Sequence, residues 1–218
     1  MVAVGEKLYA TGGRKNGESG NVGRHTSVES FHPVMGWNIE EDMRMPGTRL
    51  AHCTVTLDDS VFVIGGFVNG YGSPSIMKFD LGQNSTREWL SLTAMAVSRY
   101  YPACSVGQHE GQTGIFVSGG ANMDDNGYYT VEKSVEFYIP IEDTWVEIHR
   151  MLIVRYYHTM TEIGGFMMVA GGISYSNGMT ATVEVLNGTI WTSSANMTTP
   201  RARHASVTIP TSTVFCKP

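Results

Sequence analysis

Four arginines recur at nearly even intervals, Arg49, Arg99, Arg155 and Arg201, and a histidine follows three of them three residues later, at His52, His158 and His204. A guanidinium fork recognises carboxylates, while an imidazole can ligate a metal or carry a proton, so chemistry is sought here first. A metal centre needs ligands converging from unlike positions, whereas these histidines share one repeat position. His25, His32 and His109 add no H-x-x-x-H string and no acidic partner at ligand spacing. The reading is no metal, no cofactor. The nucleophile elbow G-x-S-x-G is also missing, the nearest string being Gly70-Tyr71-Gly72-Ser73. Asp58-Asp59 and Asp124-Asp125 read as turn formers rather than as an acid and its base.

With no catalytic residue to name, binding is what the arginines suggest. Tyr100 and Tyr156 follow two of them where the other units have Leu50 and Ala202. Arg14 and Phe67 come just after glycine pairs. Arginine and tyrosine are the residue types that dominate interface hot spots.

The elements that position these residues follow a repeat. KLYATGGR at 7–14, SVFVIGGF at 60–67, GIFVSGGA at 114–121 and FMMVAGGI at 166–173 each end a short apolar run in two glycines. The pairs are Gly12-Gly13, Gly65-Gly66, Gly119-Gly120 and Gly171-Gly172, spaced by 53, 54 and 52 residues. After each pair come a polar loop, a second strand (TSVESF, SIMKFDL, KSVEFYI, ATVEVL), a turn, and a lone tryptophan on a third strand: Trp37, Trp89, Trp145 or Trp191. The arginine then introduces a fourth strand. Apolar runs such as Val61-Phe62-Val63-Ile64 imply strands buried on both faces, so each sheet lies between two others. Glycine at the pair reaches φ > 0 and lets the chain leave a buried strand close to a neighbouring backbone.

The order R-x-x-H, apolar strand, GG, S-V-E-x-(F/Y), W resembles the kelch repeat over nearly the whole chain. The fold implied is all-β, a kelch-type β-propeller with about four four-stranded blades. The units are approximately 1–46, 47–96, 97–152 and 153–200, with 201–218 as a closing or next-blade strand. The first unit reads as lacking its opening strand, and STVFCKP at the end resembles the start of another glycine-pair strand. Kelch rings of six or seven blades need about 300–350 residues, so this chain of 218 residues is expected to be part of a larger ring. An open ring exposes a blade face and strand edges and should aggregate when expressed alone. The match departs at Pro102, which replaces a histidine, and at Ser75-Ile76-Met77, where S-V-E is expected.

Because neighbouring strands are antiparallel, the arginine end of one and the glycine end of the next open on one rim. That rim is expected to carry Arg14, Arg49, Phe67, Arg99, Tyr100, Arg155, Tyr156 and Arg201, as a pocket for an acidic or aromatic peptide segment. The tryptophans are expected to pack between blades, and Glu29, Glu136 and Glu184 to pair locally. The resemblance implies a non-catalytic protein-interaction module, with actin or ubiquitin-ligase components as family partners. It also raises a copper-radical oxidase of the galactose oxidase type, for which Tyr100-Tyr101 near Cys104 would be the thioether site. Tyr156-Tyr157 repeats one unit later without the cysteine, which argues for architecture.

Net charge is −5, giving no basic surplus for nucleic acid or an anionic membrane. No apolar stretch approaches the ~18 residues of a spanning helix, and the N-terminus lacks the features of a leader. Cys53, Cys104 and Cys216 are odd in number and widely spaced, and read as small buried thiols. Sequons at Asn84, Asn187 and Asn196 suit a secreted recognition or adhesion glycoprotein, against the cytoplasmic habit of the family.

Overall fold

The computed structural model describes residues 1–15, 23–123, 127–175 and 178–208. Asp124-Asp125, Cys216 and the STVFCKP segment lie outside the described residues.

Four antiparallel sheets of four strands succeed one another along the chain. Blade 1 comprises Val2–Val4, Lys7–Thr11, Val28–His32 and Gly36–Ile39; blade 2 comprises Cys53–Leu57, Ser60–Ile64, Ile76–Asp80 and Trp89–Leu92. Blade 3 comprises Ala103–His109, Gln112–Ser118, Val135–Ile139 and Thr144–Ile148; blade 4 comprises Thr159–Ile163, Phe166–Ala170, Val183–Asn187 and Ile190–Ser193. Strands pair in chain order within each blade. A single 3-10 turn, Glu41–Met43, is the only helical element among the described residues, and no helix there is long and apolar enough to cross a membrane.

Blade 1 has the opening strand that its sequence conceals. Val2↔Tyr9 and Val4↔Lys7 pair across the sheet, although no Arg-x-x-His precedes them. The strand is short.

The core lies between blades. Tyr9, Val28, Val63, Met77 and Phe79 join blades 1 and 2, and Phe62, Ile64, Ile115, Val117 and Tyr138 join blades 2 and 3. Phe116, Phe137, Met167, Val169 and Trp191 join blades 3 and 4. Alternate residues of one run therefore serve different neighbours: Val63 packs toward blade 1, Phe62 and Ile64 toward blade 3. Each fully buried aromatic or aliphatic side chain contributes roughly 1.5–3 kcal/mol.

The glycine pair makes this stacking possible. Gly65 and Gly66 have φ of 64° and 99°, and a Cβ on Gly65 would sit 2.7 Å from the Arg99 carbonyl oxygen of the following linker. The same crowding recurs at Gly12, Gly119 and Gly171. Tryptophans lock successive blades: Trp89 Nε1 donates to the Met43 carbonyl at 2.8 Å and Trp145 Nε1 to the Thr93 carbonyl at 2.7 Å. Trp191 is buried, whereas Trp37, on a face of blade 1 against which none of the described blades packs, is 56% exposed.

The opening strands lie side by side around the axis, and there the cysteine expectation is overturned. Cys53 and Cys104 are joined in a disulfide between blades 2 and 3, with Cα atoms 6.0 Å apart.

Candidate functional site

Three of the five arginines expected on the rim are inside the protein. Arg99 and Arg155 are 0% exposed, and Arg49 is 6% exposed. Arg99 Nη1 donates to the Gly119 carbonyl at 2.8 Å, and Nη2 donates to Ser134 Oγ at 3.1 Å and Glu136 Oε1 at 2.6 Å. Arg155 repeats the arrangement with Gly171 at 2.7 Å, Thr182 Oγ1 at 3.0 Å and Glu184 Oε1 at 2.7 Å. The glutamates also cap the linker, Glu136 accepting from the Ala96 N–H and Glu184 from the Leu152 N–H. Each arginine thus seals one blade to the next, because a buried guanidinium is tolerated only where its donors are matched.

Arg49 is the exception. It donates to the Gly65 carbonyl and to Ser75 Oγ, but Met77 stands where the later blades have glutamate. Burial without a carboxylate pulls its pKa down to about 10.

The histidines are structural as well. His52 Nε2 and His158 Nε2 each lie 2.8 Å from a hydroxyl, of Thr11 and Ser118 respectively, at the end of the preceding blade's second strand. Among the described residues no three His, Cys, Asp or Glu side chains are grouped so as to hold a metal ion.

What faces outward near the axis is the residue two places after each arginine. Ala51, Tyr101, Tyr157 and Arg203 all have φ between 55° and 57°. This left-handed turn lifts the side chain off the sheet. Their backbones form a ladder, with Tyr101 N–H donating to the Ala51 carbonyl at 2.7 Å, Tyr157 to Tyr101 at 3.4 Å and Arg203 to Tyr157 at 2.9 Å. The Tyr101 and Tyr157 rings stack at 3.9 Å, and the exposed Arg203 lies over Tyr157 at 4.2 Å with Nη2 donating to its hydroxyl at 3.0 Å. Burial, followed by the hydrogen bond with Tyr101, pushes the Tyr157 phenol well above its ordinary range, so it stays a donor. Together with His52, His158 and His204 these residues line a cavity of about 230 Å³.

Around this centre stand short two-stranded ribbons from the loops after the glycine pairs, Phe67–Val68 with Tyr71–Gly72, Ala121–Met123 with Tyr129–Val131, and Ile173–Ser174 with Gly178–Met179. They carry exposed Tyr71, Tyr128, Tyr129, Tyr175 and Met179. Tyr129 contacts the rings of Tyr100, Tyr156 and Tyr175. Tyr100 is 8% exposed and Tyr156 and Phe67 are half-buried, so these three support the aromatic surface more than they present it. Arg24 lies over the Phe67 ring, and Arg14 and Arg201 are exposed.

The Kelch motif family profile matches residues 48–96, blade 2 with its leading linker. That unit of the chain is a kelch motif. Over 188 residues it is 26% identical to beta-scruin of Limulus polyphemus, covering 84% of this chain and 19% of that protein. It is 27% identical over 193 residues to kelch domain-containing protein 3 of Bos taurus, covering 78% of this chain and 47% of that protein. The chain spans about half or less of the length of the curated relatives it matches. Among solved structures, that titled "Structure of YjhT" superposes with a TM-score of 0.57 at 13% identity, over 70% of this chain and 53% of the other, which is a likeness of fold.

Within the kelch architecture the copper-radical alternative loses its thioether, since the Cys104 sulfur is bonded to Cys53 rather than to a tyrosine. Sequence reasoning named Tyr101 and Tyr157 only in weighing the copper alternative, not for binding, and Arg203 not at all. Their signal was positional: they occupy one repeat slot yet are large, where the second unit has Ala51. A methionine four residues before each arginine, Met45, Met95, Met151 and Met197, was equally legible; three of the four lie beneath the glycine pairs.

Proposed function

We propose that this chain is a non-catalytic protein-interaction propeller that binds its partner on the tyrosine face. The observation that supports this reading is the Tyr101–Tyr157–Arg203 stack at the centre of an exposed ring of tyrosines. Tyrosine offers rigid contact area at low entropic cost, and a guanidinium beside it favours an acidic or aromatic segment. Arg14 and Arg201 add positive charge. Arg49, Arg99 and Arg155 act here as blade seals, holding the face in shape.

The test compares partner capture by the wild type and by Tyr157→Ser with Arg203→Ser, both verified as folded. Loss of the captured protein from the double variant supports the face, and undiminished capture rejects it.

The bond between Cys53 and Cys104, with exposed sequon residues Asn84, Asn187 and Asn196, favours an oxidising, secretory setting for this binding. Non-reducing peptide mapping of the native protein, with and without glycosidase, tests that setting. Free thiols and unmodified asparagines reject it.

A further inference from the structure

At the end away from the glycine pairs, the first two seams between blades are closed by one residue from each side. The opening strands of blades 2, 3 and 4 begin four residues after Arg49, Arg99 and Arg155, so Leu57 and Gly107 hold one place in their blades, and Thr56, Val106 and Glu162 hold another. Val4 stands before its turn as Leu57 does. Between blades 1 and 2 the pair is thus Val4 with Thr56, and between blades 2 and 3 it is Leu57 with Val106. Val4, Leu57 and Val106 are partly buried against the clusters at these seams. Between blades 3 and 4 the same two places hold Gly107 and Glu162.

Both face this seam. Glu162 pairs with Met167 and stands two residues after Met160, and both methionines lie in the core between blades 3 and 4. Gly107 follows Ala103 of the same core by four residues. The place of its missing side chain is only partly taken: a Cβ there would lie 2.7 Å from Met167 Cε and 3.2 Å from Phe116 Cε2. A cavity of about 490 Å³ remains, lined by Val106, Gly107, Gln108, Thr113, Glu162 and Gly165. Glu162 Oε1 accepts from the Gly165 N–H at 2.5 Å. Neighbouring turns add Glu110 and Glu142, and residues 106–114, 139–144 and 160–167 include no lysine or arginine.

We propose that the cavity between blades 3 and 4 is a binding site for a cationic side chain, lysine or arginine, carried by a basic segment of a protein partner. The place that an apolar pair fills at the seam before it is here a hole with a carboxylate on its wall. A long cationic side chain matches both features, because its alkyl stem packs beside Met167 while its charged head reaches Glu162. A neutral side chain gains nothing from the carboxylate, and an anionic one is repelled by Glu162 and by Glu110 and Glu142 around it. The cavity opens on the face opposite the tyrosines, so this site and the tyrosine face can each fail alone.

Titration of the isotope-labelled chain with N-acetylarginine amide and, separately, with N-acetyllysine amide reads the site through amide chemical shifts, and the tighter of the two identifies the preferred head group. Saturable shifts are expected at Gly107, Glu162 and Gly165. N-acetylcitrulline amide, which keeps the shape of arginine without its charge, should bind at least about tenfold more weakly, and Glu162→Gln should weaken the cations by a similar factor. Glu162→Val, which installs the residue of blade 3, should abolish the response while raising the urea midpoint, so that lost binding is not lost folding. The proposal is overturned if neither cation gives saturable shifts at these three amides, if citrulline matches arginine, or if either Glu162 variant binds as the wild type does.

Discussion

Arg155 Nη2 donates to Glu184 Oε1 at 2.7 Å with the two side chains 0% and 3% exposed, and Arg99 meets Glu136 in the same way at 2.6 Å one blade earlier. The residue type that the sequence offers for recognition is spent on joining blades.

Breaking either pair leaves a buried charge without its partner. Arg155→Met is expected to cost about 3–5 kcal/mol, read as a lower urea midpoint, with Arg99→Met close behind. A surface pair gives the contrast: Arg150→Met, next to exposed Glu147, should change stability by less than about 1 kcal/mol.

Blade 2 carries a natural deletion of this pair, and its linker carries a matching change. Where Ala96 and Leu152 give an N–H to the glutamate, the corresponding residue ahead of Arg49 is Pro46, which has none. Met77→Glu alone should therefore destabilise, because the new carboxylate lacks an amide donor. Adding Pro46→Ala should recover about 1.5–3 kcal/mol. A double-mutant cycle by chemical denaturation checks it, and strict additivity would contradict it.

The strands, the glycine pairs and the stacking of blades were legible in the sequence, because consecutive apolar residues ending in Gly65-Gly66 leave few other solutions. The direction of the arginines was not. An arginine beside a turn fits a rim or an interior equally well until its partner is identified, and the partners lie 37 and 29 residues away at Glu136 and Glu184. The one place where the glutamate is replaced, Met77 opposite Arg49, was visible only as a departure from the S-V-E pattern. Cys53 and Cys104 stand four and five residues after their arginines, so repeat position gave no hint that they meet across a blade boundary.

That bond closes a separation of 51 residues. On loop entropy alone it restricts the unfolded chain by about 4 kcal/mol. Reduction, or Cys53→Ala with Cys104→Ala, should lower the melting temperature markedly, and a thermal scan with and without reductant measures it.

Acid should weaken the molecule early. Burial, then the charges of Arg155 and Arg99, hold the His158 imidazole far below its ordinary range, and burial followed by Arg49 brings His52 down to about 3. An unfolded histidine titrates near about 6.5. Above that value both states are neutral and nothing is lost. As pH falls from about 6.5 toward 3 the unfolded chain takes up protons that the folded one refuses, and stability drops by up to about 1.4 kcal/mol per pH unit for each such histidine. Urea midpoints between about pH 7.5 and 4.5 should show the decline, and His158→Gln should flatten it.

Hydrogen–deuterium exchange of the chain with its captured partner measures the central claim directly. Protection should gather on residues 100–101, 129, 156–157 and 203. Protection confined to the opposite turns, at Asp58, Gly111 and Gly164, would contradict the tyrosine face as the binding surface.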